Sequence, residues 1–136
     1  MIGEQERNSL IQFRINQANE AIEEVGKLIE VNMLNIAVNR IYYGMFYSLN
    51  ALALKYEFSS SKHIQLIGWF NKTFIKPGLV DIKYGQILRD AFKNRTEGDY
   101  VPFITYEKED VRIMHENMRS FISKIEDILG NISPKL

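Results

Sequence analysis

A chain of 136 residues without a single cysteine excludes disulfides, thiol nucleophiles and Cys-ligated zinc, and its length suits one domain. Formal charge sums to zero, yet residues 60–95 hold seven basic side chains (Lys62, Lys72, Lys76, Lys83, Arg89, Lys93, Arg95) against Asp81 and Asp90. That local excess can attract phosphate, and it also fits a solvated mixed surface.

Apolar residues recur at helical spacing almost throughout and no stretch keeps a strand's period of two, so the expected fold is all-α. The N-terminus, Met1 to Arg7, carries acids where a signal peptide carries bases, and no short apolar core follows, so a cytoplasmic location is expected. A first helix over about 4–30 sets Leu10, Phe13, Ala21, Val25 and Leu28 on one stripe, with Glu20, Glu23, Glu24 and Lys27 largely outside it. No strong breaker follows, and a short turn or kink is expected near Glu30–Asn32.

The second helix, about 33–57, is apolar over most of its circumference and should be the centre of a bundle. From Val31 to Leu54 it holds one charge, Arg40, in twenty-four residues. The run is long enough to cross a bilayer, but Asn32, Asn35, Asn39, Arg40 and Asn50 are costly in hydrocarbon, which argues against a membrane span. A guanidinium leaves water only where acceptors meet it, so Arg40 marks either a site or a deliberate polar contact.

Ser59, Ser60 and Ser61 supply hydroxyls to cap a third helix, about 61–76, with His63, Ile67, Phe70 and Phe74 on its stripe. Lys76-Pro77-Gly78 ends it. A fourth helix, about 80–99, carries Tyr84, Leu88, Phe92, Arg95 and Asp99 down one face. Val101-Pro102-Phe103 interrupts the pattern. Thr105 is the expected cap of a fifth helix, with Glu107, Glu109 and Asp110 near its positive end. Val111, Met114, Met118, Phe121, Ile125 and Ile128 then repeat in a near-heptad until Gly130 and Pro134.

Arg40, Tyr43, Gly44 and Tyr47 follow one another at three or four residues and share a face. If the second and fourth helices are neighbours, Arg40 and Asp99 can pair while Arg95 meets an anion; the same residues also fit a hydrogen-bond network that only fixes packing. Lys62 and His63 stand where helix-start amides favour a phosphate, although a capping or packing role suits His63 as well. His115, near Arg112 and Glu116, reads as surface. Neither a Glu-x-x-His pair nor a histidine cluster suggests a metal, and no glycine-rich phosphate loop is present, so no metal or cofactor is expected.

Ala37-x-Asn39-Arg40-x-Tyr42-Tyr43-x-Met45-Phe46, then Ser60-Ser61-Lys62-His63 with Phe70 and Phe74, then Arg95-x-x-x-Asp99-Tyr100, together resemble the HEPN domain (higher eukaryotes and prokaryotes nucleotide-binding). The resemblance covers residues 6–128 and leaves 129–136 as a tail. It implies an up-and-down, four-helix-bundle-like fold with about five helices, a homodimer, and pairing with a minimal nucleotidyltransferase as toxin and antitoxin. Many such proteins are metal-independent endoribonucleases, in which an Arg and a His separated from it by four to six intervening residues meet across the dimer cleft. The His would move a proton on the ribose 2′-hydroxyl or the leaving oxygen while the Arg holds the scissile phosphate.

Arg95 matches that Arg, but the window Thr96 to Pro102 after it has no His; it holds Asp99 and, after four intervening residues, Tyr100. A tyrosine with a pKa near ~10 is a poor base at neutral pH, and an adjacent Arg lowers rather than raises an aspartate. The resemblance also implies Tyr100, in a different register, as the counterpart of a tyrosine near the motif to which the family's partner enzymes add nucleotides. The expected site is therefore Arg95, Asp99 and Tyr100, with Arg40, Tyr43, Lys62 and His63 binding a nucleotide or RNA. Two alternatives stand beside it: an endoribonuclease with an atypical site, and a non-catalytic docking partner of the nucleotidyltransferase.

Overall fold

The computed structural model describes residues 2–100 and 104–132, without the side chains at 99, 100, 131 and 132. Among the described residues every regular element is helical: α1 (Glu4–Glu30), α2 (Leu34–Lys55), α3 (His63–Phe70), a π-helical turn (Asn71–Ile75), α4 (Ile82–Tyr100) and α5 (Lys108–Ile132). The expected all-α fold is the fold observed. α2 lies at its centre, with α1 and α5 on one side and α3 and α4 on the other.

The α1–α2 turn forms without glycine. Asn32 adopts φ +62°, Met33 N–H reaches Leu28 O at 2.9 Å and Asn32 N–H reaches Ile29 O at 3.1 Å, which is a Schellman close. The end of α2 repeats it, with Glu57 at φ +56° and Phe58 N–H on Ala53 O at 2.9 Å. Asparagine tolerates the left-handed region through its short polar side chain; at position 57 the chain accepts it in a glutamate, which Arg7 meets at 3.3 Å.

Three sequence expectations need correction. On α1, Leu10 and Phe13 are exposed (39 % and 53 %), while Ile15, Ala18, Ala21, Ile22, Val25 and Ile29 are buried. The buried stripe steps 15–18–22–25–29, and residues 10 and 13 fall off that line. His115 is buried, because it continues the α5 stripe of Val111, Met118, Ile122 and Ile125, and its Nε2 lies 2.9 Å from Ile22 O on α1. Finally, no serine side chain caps α3. Lys62 is the N-cap residue, and Ser60 Oγ instead accepts from Lys62 N–H and donates to Gln65 Oε1.

The limits of two helices also differ from expectation. α5 begins at Lys108, beyond Thr105, with Val111 N–H on Glu107 O, and it runs through Gly130 to Ile132. The third helix does not stay α-helical: Lys76 N–H reaches back five residues to Asn71 O at 2.8 Å. The wider turn coincides with an aromatic cluster in which Phe74 meets Tyr56, Trp69 and Phe70.

Helices α1, α2 and α5 pack tightly together at Gly44. A Cβ there would collide with Met118 Cε and come within 2.9 Å of Ala21 Cβ. Overpacking of this kind costs about 1–3 kcal/mol, so Gly44→Val should lower the thermal midpoint accordingly. A midpoint equal to that of the parent chain would contradict the close approach.

Candidate nucleotide-binding site

One face of α2 carries Asn35, Asn39, Tyr42, Tyr43 and Phe46, each three or four residues from a neighbour, and turns them toward α4 and the start of α3. There Arg95 of α4 lies against both tyrosine rings, its guanidinium carbon 5.7 Å from the centroid of Tyr42 and 5.4 Å from that of Tyr43. Its Nη2 donates to Tyr43 Oη at 3.0 Å. Contacts with π faces contribute about 0.5–2 kcal/mol each and orient the guanidinium without cancelling its charge.

His63, the first residue of α3, closes the cluster. Its Nδ1 is 2.8 Å from Tyr42 Oη, its ring centroid is 3.9 Å from that of Phe46, and Tyr43 meets it edge-on at 6.1 Å. Burial, and then the nearby Arg95 cation, push the His63 imidazolium below the ordinary histidine value. Burial drives the Tyr42 phenol well above the ordinary tyrosine value, with Arg95 opposing in part. At neutral pH the pair is therefore a neutral imidazole and a protonated phenol.

Arg95 also lines a groove of about 260 Å³ with Asn35, Ile36, Val38, Asn39 and Gly98. The segment entering α5 is held beside it, because Asn35 Nδ2 donates to Ile104 O at 3.3 Å and Tyr106 Oη donates to Asn94 O at 2.9 Å. The expected residues thus separate. Tyr43, His63 and Arg95 meet, and Lys62 is exposed next to His63.

Arg40 turns toward α1 instead. Its Nε meets Glu24 Oε1 at 3.0 Å and its guanidinium lies 5.9 Å from the Tyr47 ring. The pairing with Asp99 considered from sequence lies outside the described residues, as do the side chains of Asp99 and Tyr100. Asn35, Asn39, Tyr42 and Phe46 were not singled out as site residues, although Asn39, Tyr42 and Phe46 stand in the same sequence block as Arg40. Their three- and four-residue spacing to Tyr43 was the available signal.

A helical bundle with an Arg on its fourth helix and this aromatic block on its second is the architecture expected of the HEPN resemblance. The family model for the HEPN domain matches residues 11–128, and the chain belongs to that family. It is 32 % identical over 127 residues to a "UPF0332 protein" of Thermotoga maritima, covering 93 % of this chain and 96 % of that protein. Two relatives from Methanocaldococcus jannaschii carry the names "Putative toxin MJ0142" and "Putative toxin MJ0605". The first is 30 % identical over 85 % of this chain and 78 % of its own length, the second 30 % identical over 90 % of each. Among the described residues no helix is long and apolar enough to cross a membrane, and no group of three or more His, Asp or Glu could hold a metal ion.

The depressed His63 titration has a sign that can be measured. Above the ordinary histidine value of 6.5 the ring is neutral whether the chain is folded or not. Below it the unfolded chain takes up a proton that the folded one resists, so stability falls as pH falls. His63→Gln removes that contribution. Between about pH 7 and pH 5 the parent chain should lose stability more steeply than the variant in denaturant titrations, and parallel curves would contradict the shift.

Proposed function

We propose that the corner formed by Arg95, Tyr43 and His63 binds a phosphate of a nucleotide or of single-stranded RNA, in a homodimer that works beside a minimal nucleotidyltransferase as one half of a toxin–antitoxin-like pair. The observation that carries this reading is the Arg95 guanidinium, lying against two tyrosine rings and lining a groove whose wall includes Asn35 and Asn39. Guanidinium donors recognise phosphate oxygens in a fixed fork, and a carboxamide offers both a donor and an acceptor to a base edge. Exposed Lys62 adds a cation beside His63. Membership of the HEPN family and the toxin names of relatives support the setting.

Cleavage is the second reading, because the His63 imidazole stands beside Arg95 although no His stands in the short window after Arg95. Its Nδ1 faces a protonated phenol, which makes it a poor proton acceptor, so binding without cleavage is preferred. The dimer is supported by the apolar side chains of Leu10 and Phe13 left exposed on α1.

Arg95→Ala should weaken binding of ATP and of a single-stranded oligoribonucleotide at least tenfold at low salt while leaving the helical circular dichroism intact; the loss of one charge-assisted contact supplies about 1.5–3 kcal/mol. Equal affinity in parent and variant would remove the proposal. RNA incubated with excess protein in EDTA should stay intact, and the appearance of 2′,3′-cyclic phosphate ends would favour the nuclease instead.

Light scattering at micromolar concentration should give twice the chain mass of 15.9 kDa, and a monomer would contradict the homodimer. Co-purification of a neighbouring nucleotidyltransferase would bear on the partner in the same way.

A further inference from the structure

The geometry points to Tyr42 as the residue that fixes the tautomer of His63, so that the ring offers an Nε2–H donor, not a basic nitrogen, to a phosphate at Arg95. This rests on the anion-binding reading above and deepens it. Tyr42 is fully buried, and its phenol oxygen lies 2.8 Å from His63 Nδ1. A buried hydroxyl needs an acceptor for its proton, and among the described residues Nδ1 is the one it has.

Burial keeps the phenol protonated, so Tyr42 has a hydrogen to donate. Burial and Arg95 keep the imidazole neutral, so one ring nitrogen is bare. If Nδ1 is the bare one, Nε2 carries the proton. The opposite tautomer would turn Nδ1–H toward the phenol oxygen and strand the phenol proton in a dry interior.

The groups around the ring agree with that assignment. Phe46 stacks on one side, Tyr43 meets it edge-on, Arg95 comes from α4, and Lys62 precedes it; none of these offers an acceptor that would hold Nδ1–H in place. Nε2 has no protein partner among the described residues and is not sealed from solvent. Arg95 and an Nε2–H donor together suit the oxygens of one phosphate. The electron pair a general base requires is already engaged by Tyr42.

Nitrogen-15 spectra of the full chain at neutral pH report the tautomer directly. In the parent chain the His63 proton is expected on Nε2. In Tyr42→Phe, which keeps the buried ring and removes only the hydroxyl, both tautomers should be populated and His63 should titrate at higher pH. A parent ring protonated on Nδ1, or tautomer populations identical in parent and variant, overturns the proposal whatever the protein binds. Should Tyr42→Phe fail to fold, the parent spectrum decides alone.

Binding is read separately with a single-stranded oligoribonucleotide. An even tautomer mixture should weaken affinity by about twofold, and no change on Tyr42→Phe would overturn the donor role. If Arg95→Ala also leaves affinity unchanged, the anion-binding reading falls, while the spectra still establish or reject the lock itself.

Discussion

A helix as apolar as α2 has to be covered on nearly every side, and that requirement organises the molecule. Ala37, Val38, Ile41, Met45, Leu49 and Leu52 are all buried, on more than one face. At about 1.5–3 kcal/mol for each large side chain removed from water, no arrangement that leaves α2 at an edge competes. α1 and α5 take one flank and meet over Gly44; α3 and α4 take the other. The second flank differs in chemistry, because there α2 presents tyrosines. A phenol can be buried only with its hydroxyl satisfied, so covering this flank demands polar partners: His63 for Tyr42 and Arg95 for Tyr43. The cluster at the candidate site follows from closing the core around Tyr42 and Tyr43.

The two arginines that stand out in the sequence have different described partners. Arg40 meets Glu24 across α1 and α2, and both side chains remain partly exposed. Such a pair contributes about 0–1 kcal/mol, and a phosphate arriving there would have to displace a carboxylate. Arg95 lies against the rings of Tyr42 and Tyr43 and donates to the Tyr43 phenol. Tyr43 and Tyr47 lie 6.5 Å apart between the two arginines, so one aromatic row links them.

Much of this was legible before any coordinates. Helical periodicity placed α1, α2 and α4 within a few residues of their observed limits, since long amphipathic or apolar runs admit little else. Details set by tertiary contact were not legible. Asn32 and Glu57 close helices in the left-handed region without glycine, so although a turn was expected near Glu30–Asn32, the form of each closure was not marked. The π-helical turn at Asn71–Ile75 has no local sequence mark. The phase of the α1 stripe was misplaced because Leu10 and Phe13 are as apolar as the residues that are buried. At the site, Tyr43, His63 and Arg95 were named one by one, but the residue that joins His63 to the core, Tyr42, looked like any other buried aromatic. Its partner comes from another helix twenty-one positions away.

The departure from the family's Arg-and-His pattern gains a chemical meaning from that partnership. An imidazole does stand near Arg95, contributed by α3 instead of by the chain after α4's arginine. Proximity alone does not make it a base. A histidine that removes a proton needs a bare, well-oriented nitrogen and a pKa close to the working pH. Here one nitrogen receives a phenol hydrogen, and the guanidinium beside the ring disfavours any second proton on it. On the tautomer proposed here, the same two residue types that would cleave a phosphodiester in one geometry become two neighbouring donors. Donors of fixed charge and position stabilise a bound phosphate in its ground state without offering a route for the 2′-hydroxyl proton. On the anion-binding reading, the fold keeps the family's electrostatics and gives up its proton transfer, and the hydroxyl of Tyr42 is where the two part.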